Sequence, residues 1–296
     1  MHGMHARLPK NFVLEERLER YAQVIEVAPS HYAGSWAEAC HPLSSGEASR
    51  YDRVHVDLGC GKGAYVVQAA ARDPRTLYVA IDGEPVCIAY TAQHVMESGV
   101  RNVVVVPALG SQMTSVFGPG EVDAITLNFP TPFPRKKDAS RRLTVVDRLA
   151  EYRQVLSPGG TVTFKTDSYP LWQFTRAQVE LAGYQVLWLS DNARAERPDD
   201  VLTEYERRLA AQGATVYAIE ATPGEACEGI EQTSSLSLVD YLPDDLASLG
   251  YVPHGMRGSV TNLRNRRRRE QGRSHQDSRA DGTSGERSRH TGDPKG

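Results

Sequence analysis

The sequence has few cysteines and no long hydrophobic run, and both features limit the classes of protein to which it can belong. Its four cysteines, at positions 40, 60, 87 and 227, lack the paired spacing of a metal site, and a chain of 296 residues does not need disulfides to fold. The first ten residues carry basic side chains with no apolar stretch behind them, unlike a secretory signal. We therefore expect a cytoplasmic protein with no membrane segment and no bound metal.

The net charge of −3 is unevenly distributed along the chain. Residues 257–296 contain eleven Lys or Arg and five Asp or Glu, a net charge of +6, which leaves −9 for residues 1–256. This segment is too polar to form a core of its own, so its composition predicts a disordered basic tail. Two interpretations remain open: the tail attracts nucleic acid without sequence preference, or it is solvated and has no dedicated partner.

Apolar runs alternate with helical patterns through the middle of the chain, which predicts an α/β fold with a mostly parallel sheet covered by helices on both faces. The predicted strands are 54–58, 77–81, 103–106, 121–129, 161–165, 184–189 and 214–221, the last two forming a terminal hairpin. Helices are expected at 64–72 and 145–156, with a turn at Ser157-Pro158-Gly159-Gly160. The predicted organisation is a leader with a short helix near residues 13–24 (1–50), the seven-stranded domain (51–221), a linker or accessory segment (222–256) and the tail (257–296).

A glycine-rich turn follows the first predicted strand. Asp57 ends that strand, and Gly59, Gly61 and Gly63 precede the helix at 64–72. Such a turn brings backbone close to a ligand, and the helix N-terminus points at it. A carboxylate here suits a cationic amino-acid group and would repel a pyrophosphate. The spacing Gly59-x-Gly61-x-x-Ala64 also satisfies a relaxed dinucleotide pattern, so a nicotinamide-dependent dehydrogenase stays an alternative, as does an ordinary turn.

Other candidate residues follow the later strands, at the edge where open α/β sheets bind ligands. Asp82 is placed either to accept from ribose hydroxyls or to cap a helix. Asn128-Phe129-Pro130-Thr131-Pro132-Phe133-Pro134 forms a stiff loop before five cations, a pattern that suits an unstacked base and its phosphates or simply a solvated loop. Further on lie Asp167 and the segment Thr203-Glu204-Tyr205-Glu206.

Taken in order, these motifs resemble the bacterial tRNA (guanine-N7)-methyltransferases, class I S-adenosylmethionine-dependent enzymes that modify guanine 46 in the variable loop of tRNA. The resemblance covers residues 4–221. It rests on the glycine turn, the proline loop with its cations, and three short stretches: His5-Ala6-Arg7, Lys165-Thr166-Asp167 and Thr203-Glu204-Tyr205-Glu206.

The resemblance implies a Rossmann-like class I methyltransferase fold, S-adenosyl-L-methionine as cofactor and tRNA as partner, in a monomer or homodimer. The implied catalytic positions are Thr131 and Asp167. The implied cofactor-binding positions are Asp57, Gly59, Gly61, Gly63, Asp82, Leu109 and Thr131. The implied substrate-binding positions are Arg135, Lys136, Lys137, Arg141, Arg142, Asp167, Thr203, Glu204, Tyr205 and Glu206.

Three positions depart from the family pattern. Thr131-Pro132-Phe133 stands where the family has Asp-Pro-Trp, and Leu109 replaces an acid expected to reach the adenine amino group. Guanine N7 carries a lone pair and no proton, so its methylation depends mainly on positioning, and losing one carboxylate should slow the reaction without forbidding it. Two hypotheses follow: an active methyltransferase, or a divergent paralogue that binds RNA and cofactor with little or no catalysis.

Overall fold

The computed structural model describes residues 12–43, 50–225, 229–246, 249–253 and 255–284, with side chains described as far as residue 270. The His5-Ala6-Arg7 stretch lies outside these residues. Seven strands form one sheet: β1 (Arg53–Leu58), β2 (Thr76–Asp82), β3 (Val103–Pro107), β4 (Val122–Asn128), β5 (Leu156–Thr166), β6 (Tyr184–Ser190) and β7 (Tyr217–Pro223).

Ten α-helices accompany the sheet in the described residues. They are α1 (Leu14–Arg20), α2 (Trp36–Ala39), α3 (Ala64–Arg72), α4 (Pro85–Ser98), α5 (Met113–Val116), α6 (Val146–Val155), α7 (Tyr169–Leu181), α8 (Ala193–Glu196), α9 (Glu204–Ala211) and α10 (Arg257–Ser284). Short 3-10 turns cover Ala22–Val24, Pro29–Tyr32, Lys136–Arg141 and Leu238–Tyr241.

The strand order is β3-β2-β1-β4-β5-β7-β6. Strands β1 to β5 pair in parallel, and β7 runs antiparallel to both β5 and β6. This order confirms the Rossmann-like, mostly parallel sheet and its terminal hairpin. From β1 the chain adds β2 and β3 on one side, and it then adds β4 and the later strands on the other side of β1. Ligands of such sheets bind beyond the carboxyl ends of the strands at the point where the strand order reverses, here between β1 and β4.

Most predicted elements agree with the structure, and one turn does not. Helix α3 has the bounds that the glycine turn predicts, 64–72, because Gly63 with φ of 77° ends the turn directly before it. The predicted turn at 157–160 instead lies inside β5. These four residues form a bulge in β5. On either side of it β5 pairs with β4, through Leu156 opposite Val122 and Thr161 opposite Ala124.

The described part of the N-terminal leader packs on the sheet. Its predicted helix is α1, which ends at Arg20, followed by the 3-10 turn. Ile25 forms a parallel bridge with Val105 at the β3 edge, and the Glu26 backbone N–H donates to the Val105 carbonyl at 2.8 Å. The Trp36 indole is fully buried and donates to the Val116 carbonyl at 2.8 Å. The leader therefore covers the β3 edge and contributes to the core.

The residues after β7 return to the same core. Leu238 and Met256 are fully buried in the main apolar cluster. The composition predicts a disordered tail from residue 257, and this prediction is wrong for its first turns, because α10 begins at Arg257 and buries Val260 and Leu263. Met256, Val260 and Leu263 are spaced by four and three residues, so they share one helix face, a pattern that overall polarity conceals.

Candidate active site

The glycine turn between β1 and α3 has the tight geometry that its sequence predicts. Gly59, Gly61 and Gly63 all have positive φ, at 78°, 56° and 77°. The turn is tied to β2, because the Gly59 and Cys60 backbone N–H groups both donate to the Ile81 carbonyl. A Cβ at Gly63 would lie 2.8 Å from Cγ2 of Thr91 in α4, so this position needs glycine for space as well as for conformation.

Two predicted acids end neighbouring parallel strands beside this turn. Asp57 ends its strand at the switch point and is buried, and its Oδ2 has no hydrogen-bond partner among the described residues. Burial raises the pKa of Asp57 to about 8, and the Asp82 carboxylate contributes to the rise. An unpaired buried carboxylate is costly, and a cationic donor would relieve that cost.

Asp82 is also held by the turn. Its Oδ2 accepts from the Gly61 N–H at 3.0 Å and its Oδ1 from the Glu84 N–H at 2.8 Å. Burial raises the pKa of Asp82, and these two N–H donors oppose the rise. Each carboxylate oxygen has a second lone pair, so Asp82 can hold the turn and still accept from a ligand hydroxyl.

A cavity of about 500 Å³ lies beyond the ends of β2 and β3. Its lining is mostly apolar and combines sheet-end residues with the N-terminal leader: Leu18, Ala22, Ile25, Val27, Gly83, Pro85, Ile88, Pro107, Ala108, Leu109 and Gln112. Leu109 is 58% exposed and lies over Gly83, where a Cβ would be 2.5 Å from its Cδ2. The walls suit a flat apolar ring, and Leu109 offers no polar partner for a substituent on it.

The proline loop after β4 has two residues in the left-handed region. Phe129 has φ of 50° and Phe133 has φ of 42°, a conformation that costs energy for bulky side chains and is frequent at functional sites. The Phe129 N–H donates to the Lys165 carbonyl at 2.8 Å, and its ring meets that of Tyr205 edge-on at 5.3 Å. Thr131, in the same loop, is exposed. Phe129 of the loop and Tyr205 of α9 thus form an aromatic pair at the edge where the loop carries the exposed Thr131.

Arg142 does not have the predicted RNA-binding position. Its side chain is buried and donates to the carbonyls of Pro132, Phe133 and Leu236. Its guanidinium also lies 4.4 Å from the centre of the Phe174 ring. Burial lowers the pKa of Arg142 to about 10, so it stays charged at neutral pH. The structure corrects the prediction: Arg142 holds the proline loop from beneath.

The other four predicted cations lie on the surface beside that loop. Arg135, Lys136 and Lys137 are exposed, and Arg135 pairs with Asp138 at 2.7 Å. The guanidinium of Arg141 lies 4.1 Å from the centre of the Phe133 ring. These groups belong to, or directly precede, the 3-10 turn Lys136–Arg141, so one short segment presents all four charges on the same edge as the aromatic pair.

Asp167 follows β5 and lies close to Tyr205. The Asp167 side chain is 8% exposed, and its Oδ2 accepts from the Tyr251 hydroxyl at 2.5 Å. Burial raises the pKa of Tyr205, and the Asp167 charge adds to this rise. Through Tyr205 and Phe129, Asp167 joins the proline loop in one site. Tyr251 carried no signal in the sequence, because only the folded chain brings it to Asp167.

The residues of segment 203–206 have different roles: some stabilise α9, and one faces the proline loop. Thr203 caps α9 by accepting from the Glu206 N–H at 3.2 Å, and Glu206 is buried in an ion pair with Arg194 at 2.6 Å. Glu204 is exposed and pairs with Arg207 at 3.2 Å. The structure therefore gives Thr203 and Glu206 a role in building α9, and Tyr205 is the member whose ring contacts Phe129 of the loop. The substrate contact of this segment stays a prediction.

Sequence reasoning assigns Asn128 no role of its own beyond opening the proline-loop motif, and the structure adds it to the candidate site. It ends β4 next to β1, and its side-chain Nδ2 is buried with no hydrogen-bond partner among the described residues. Asp57 and Asn128 therefore place an unsatisfied acceptor and an unsatisfied donor at the ends of the two strands that form the switch point. Its place at a predicted strand end is the signal that could have identified it.

The described residues contain no group of three or more His, Cys, Asp or Glu side chains placed to hold a metal ion. Within the same ranges, no helix has the length and apolar character needed to cross a membrane.

Comparisons with known proteins agree with this geometry. A family model described as "Putative methyltransferase" matches residues 51–219. The chain is 32% identical over 212 residues to a tRNA (guanine-N(7)-)-methyltransferase of Lactococcus lactis subsp. cremoris, covering 70% of this chain and 93% of the relative. It is 34% identical over 211 residues to the Streptococcus sanguinis protein of that name, covering 70% and 94%.

Among solved structures, the 16S rRNA methyltransferase KamB is similar, with 18% identity, a TM-score of 0.47, and coverage of 59% of this chain and 89% of that one. The family match takes in the glycine turn, both acids, the proline loop and Asp167, and the sequence identity extends over most of the two bacterial relatives. The chain therefore belongs to the tRNA (guanine-N(7)-)-methyltransferase family.

Proposed function

We propose that this protein methylates N7 of guanine 46 in the variable loop of tRNA, using S-adenosyl-L-methionine. The observation that carries the proposal is Asp57, a buried carboxylate with an unpaired oxygen at the switch point of a methyltransferase-type sheet. Its partner would be the ammonium group of the cofactor's amino-acid portion, because a buried charge is stable only when it is paired.

The remaining cofactor contacts would come from the same edge. Asp82 has acceptor capacity for ribose hydroxyls, and the apolar cavity beside Gly83 and Ala108 suits the adenine ring. When bound, S-adenosylmethionine supplies an electrophilic methyl group on a sulfonium. Leu109 gives the adenine amino group no acceptor, so we expect weaker binding than an acid at this position would provide.

The chain's other residues would position the guanine. N7 has an in-plane lone pair and no proton, so no general base is required, and the residues act by orientation and by stabilising positive charge on the base. The Phe129 and Tyr205 rings offer aromatic surface to an unstacked base. Asp167 can accept from the N1–H and amino group of guanine, an interaction that strengthens as the ring becomes positive.

The exposed cations would bind the tRNA backbone. Arg135, Lys136, Lys137 and Arg141 can neutralise phosphates on either side of the target nucleotide, a contribution that weakens with salt. We place this activity in the cytoplasm, in a monomer or homodimer. Thr131, which is exposed in the proline loop, would stand beside the reacting groups in place of the family's acid.

The target guanine can be tested directly. The full chain is incubated with cofactor and two unmodified transcripts of one tRNA, the natural sequence and a variant with adenine at position 46. The proposal expects methyl transfer to the first transcript and none to the second. Equal transfer to both would assign the activity to another guanine.

A second candidate, a paralogue with little or no catalysis, is favoured by the exposed Leu109 and Thr131 at positions where the family pattern has acids. Calorimetry separates the two. Micromolar binding of S-adenosylmethionine together with turnover supports the enzyme, whereas tRNA binding without measurable cofactor affinity supports the paralogue.

A further inference from the structure

The chain continues beyond the region that defines its family. The family match ends at residue 219, within β7. The residues that follow return to the site, and we refer to their described part, 229–246, 249–253 and 255–270, as the C-terminal extension. Its position bears on the proposed function, because it packs against the loop and strand end that would hold the guanine.

The extension is anchored to the proline loop and to α7. The Leu238 N–H donates to the Pro134 carbonyl at 3.0 Å. The buried Arg142 guanidinium donates to the Leu236 carbonyl at 2.9 Å and also to carbonyls of the proline loop, so it links the two segments. On α7, the Gln178 amide donates to the Ser234 hydroxyl at 2.7 Å. Leu238 is fully buried. These contacts fix the extension against the proline loop and α7.

At that turn the extension contacts two consecutive residues. The Tyr251 hydroxyl donates to Oδ2 of Asp167 at 2.5 Å, and the hydroxyl of Ser168, the N-cap of α7, lies 3.6 Å from the sulfur of Met256. Met256 is fully buried. Asp167 thus directly precedes the N-cap of α7, and its carboxylate accepts from a side chain 84 residues further along the chain.

The partner of Asp167 is a neutral hydroxyl. Within the described residues no Lys, Arg or His lies within ion-pair distance of this carboxylate, and the nearby Lys165 pairs with Asp200. A phenol donor fixes one carboxylate oxygen and leaves the negative charge uncompensated. That charge therefore remains available to a substrate that becomes positive as it reacts.

We propose that Tyr251 is a positioning residue of the guanine site, and that the C-terminal extension completes this site by fixing the Asp167 carboxylate toward the base. The inference rests on the proposed function. It gives Tyr251 a role in the reaction through Asp167, in addition to any attraction of the extension's arginines for tRNA.

The test is Tyr251→Phe in the full chain, which removes the hydroxyl and keeps the ring. We expect kcat to fall about tenfold, the size of effect that a hydrogen bond to a charged group produces. The KM for tRNA should change less than threefold, because phosphate contacts dominate tRNA affinity, and the dissociation constant for S-adenosylmethionine should stay within twofold. The matched control is Tyr241→Phe, whose hydroxyl donates to the Ser235 carbonyl at 3.0 Å in the same extension; its kcat should stay within twofold of wild type.

Asp167→Asn and the double variant Asp167→Asn/Tyr251→Phe distinguish positioning from support of the fold. If Tyr251 acts through Asp167, adding Tyr251→Phe to Asp167→Asn costs less than twofold more in kcat. The same further tenfold loss in both backgrounds, a rise in tRNA KM without a change in kcat, or a gain in activity would each overturn the inference. A wild type that makes no 7-methylguanine overturns both proposals, whereas an active wild type with an equally active Tyr251→Phe overturns this one alone.

Discussion

Asp57 and Asp82 end neighbouring parallel strands, and together with burial the Asp82 carboxylate raises the pKa of Asp57 to about 8. Asp82 accepts two backbone N–H groups, whereas one oxygen of Asp57 has no partner within the described chain. The pair therefore combines an acid used by the turn with an acid left for a cationic ligand.

This relationship predicts a pH-dependent affinity for S-adenosylmethionine. Below pH 8 the free Asp57 carboxyl is mostly protonated, so binding an ammonium must release that proton, and affinity should rise by up to tenfold per unit from pH 6 toward 8. It should fall above 8 as the cofactor's own α-amino group, with a pKa of about 8, loses its charge. Calorimetry across pH 6 to 9 measures this affinity. Asp57→Asn should bind S-adenosylmethionine weakly, and its affinity should not rise between pH 6 and 8. A wild-type affinity that is flat from pH 6 to 8 would refute the role of Asp57.

The same shift predicts a change in stability without cofactor. The folded pKa of Asp57 lies above its unfolded value of about 3.9, so its contribution is fully present below pH 4 and is lost as the pH rises through 8. The free energy of unfolding of wild type relative to Asp57→Asn should therefore decrease between pH 5 and 8. Urea unfolding of both proteins at each pH measures the difference, and a constant difference would show that the pKa is not raised.

Gly63→Ala should be more damaging than Gly99→Ala. Both positions have positive φ, 77° and 75°, which costs alanine about 1 kcal/mol or more. At Gly63 the added Cβ would also lie 2.8 Å from Thr91, which adds about 1–3 kcal/mol, while nothing lies within 4 Å of a Cβ at Gly99. Urea unfolding compares the two variants. Equal losses would mean that the turn and α4 separate easily.

Changing Arg142 to Met should affect mainly stability, and changing Arg135 to Met should affect mainly tRNA binding. Arg142→Met leaves buried carbonyls of the proline loop unpaired and should lower the free energy of unfolding by about 2–4 kcal/mol. Arg135→Met, on the surface, should change it by less than about 0.5 kcal/mol and weaken tRNA binding mainly at low salt. Unfolding curves and filter binding at two salt concentrations test both statements. If Arg142→Met is as stable as wild type and binds tRNA more weakly, Arg142 has the RNA-binding role that the sequence predicts.

Restoring the family's acids at positions 109 and 131 should increase cofactor affinity and turnover, respectively. Leu109→Asp places an acceptor beside the apolar cavity and should lower the dissociation constant for S-adenosylmethionine about tenfold. Thr131→Asp should raise kcat. Leu187→Asp is the control for Leu109→Asp, because Leu187 is similarly exposed, at 51%, on β6. Calorimetry and turnover measure the effects, and no gain from either restored acid would count against the roles given to these two positions.

The positive charge of the C-terminal region lies mainly in its anchored part. Residues 257–270 contain six arginines and one glutamate, whereas 271–296 contain five basic and four acidic residues. Arg268→Gln/Arg269→Gln should therefore weaken tRNA binding at low salt more than ending the chain after Glu270 does. Filter binding at 50 and 200 mM salt compares the two, and the opposite order would assign tRNA attraction to the distal segment.

The sheet and the geometry of the glycine turn could be predicted from the sequence because they depend on local patterns. Apolar runs identified the strands, and the acid near the end of β1 with the glycines that follow it indicated a ligand-binding turn. The substrate side could not be predicted in full. A run of cations does not reveal that Arg142 is buried while Lys136 is exposed, since burial is decided by residues distant in sequence, such as Phe174 and Leu236. The contact of Tyr251 with Asp167 exists only in the folded chain.

The central claim is tested most directly by measuring 7-methylguanosine in tRNA. Purified full-length protein is incubated with S-adenosylmethionine and tRNA from a strain that lacks this modification, and the digested nucleosides are quantified by mass spectrometry. We predict that the wild type forms one 7-methylguanosine per tRNA molecule. Asp57→Asn should form 7-methylguanosine at less than one hundredth of the wild-type rate. No cofactor-dependent 7-methylguanosine from the wild type, under conditions where an active relative produces it, would contradict the account.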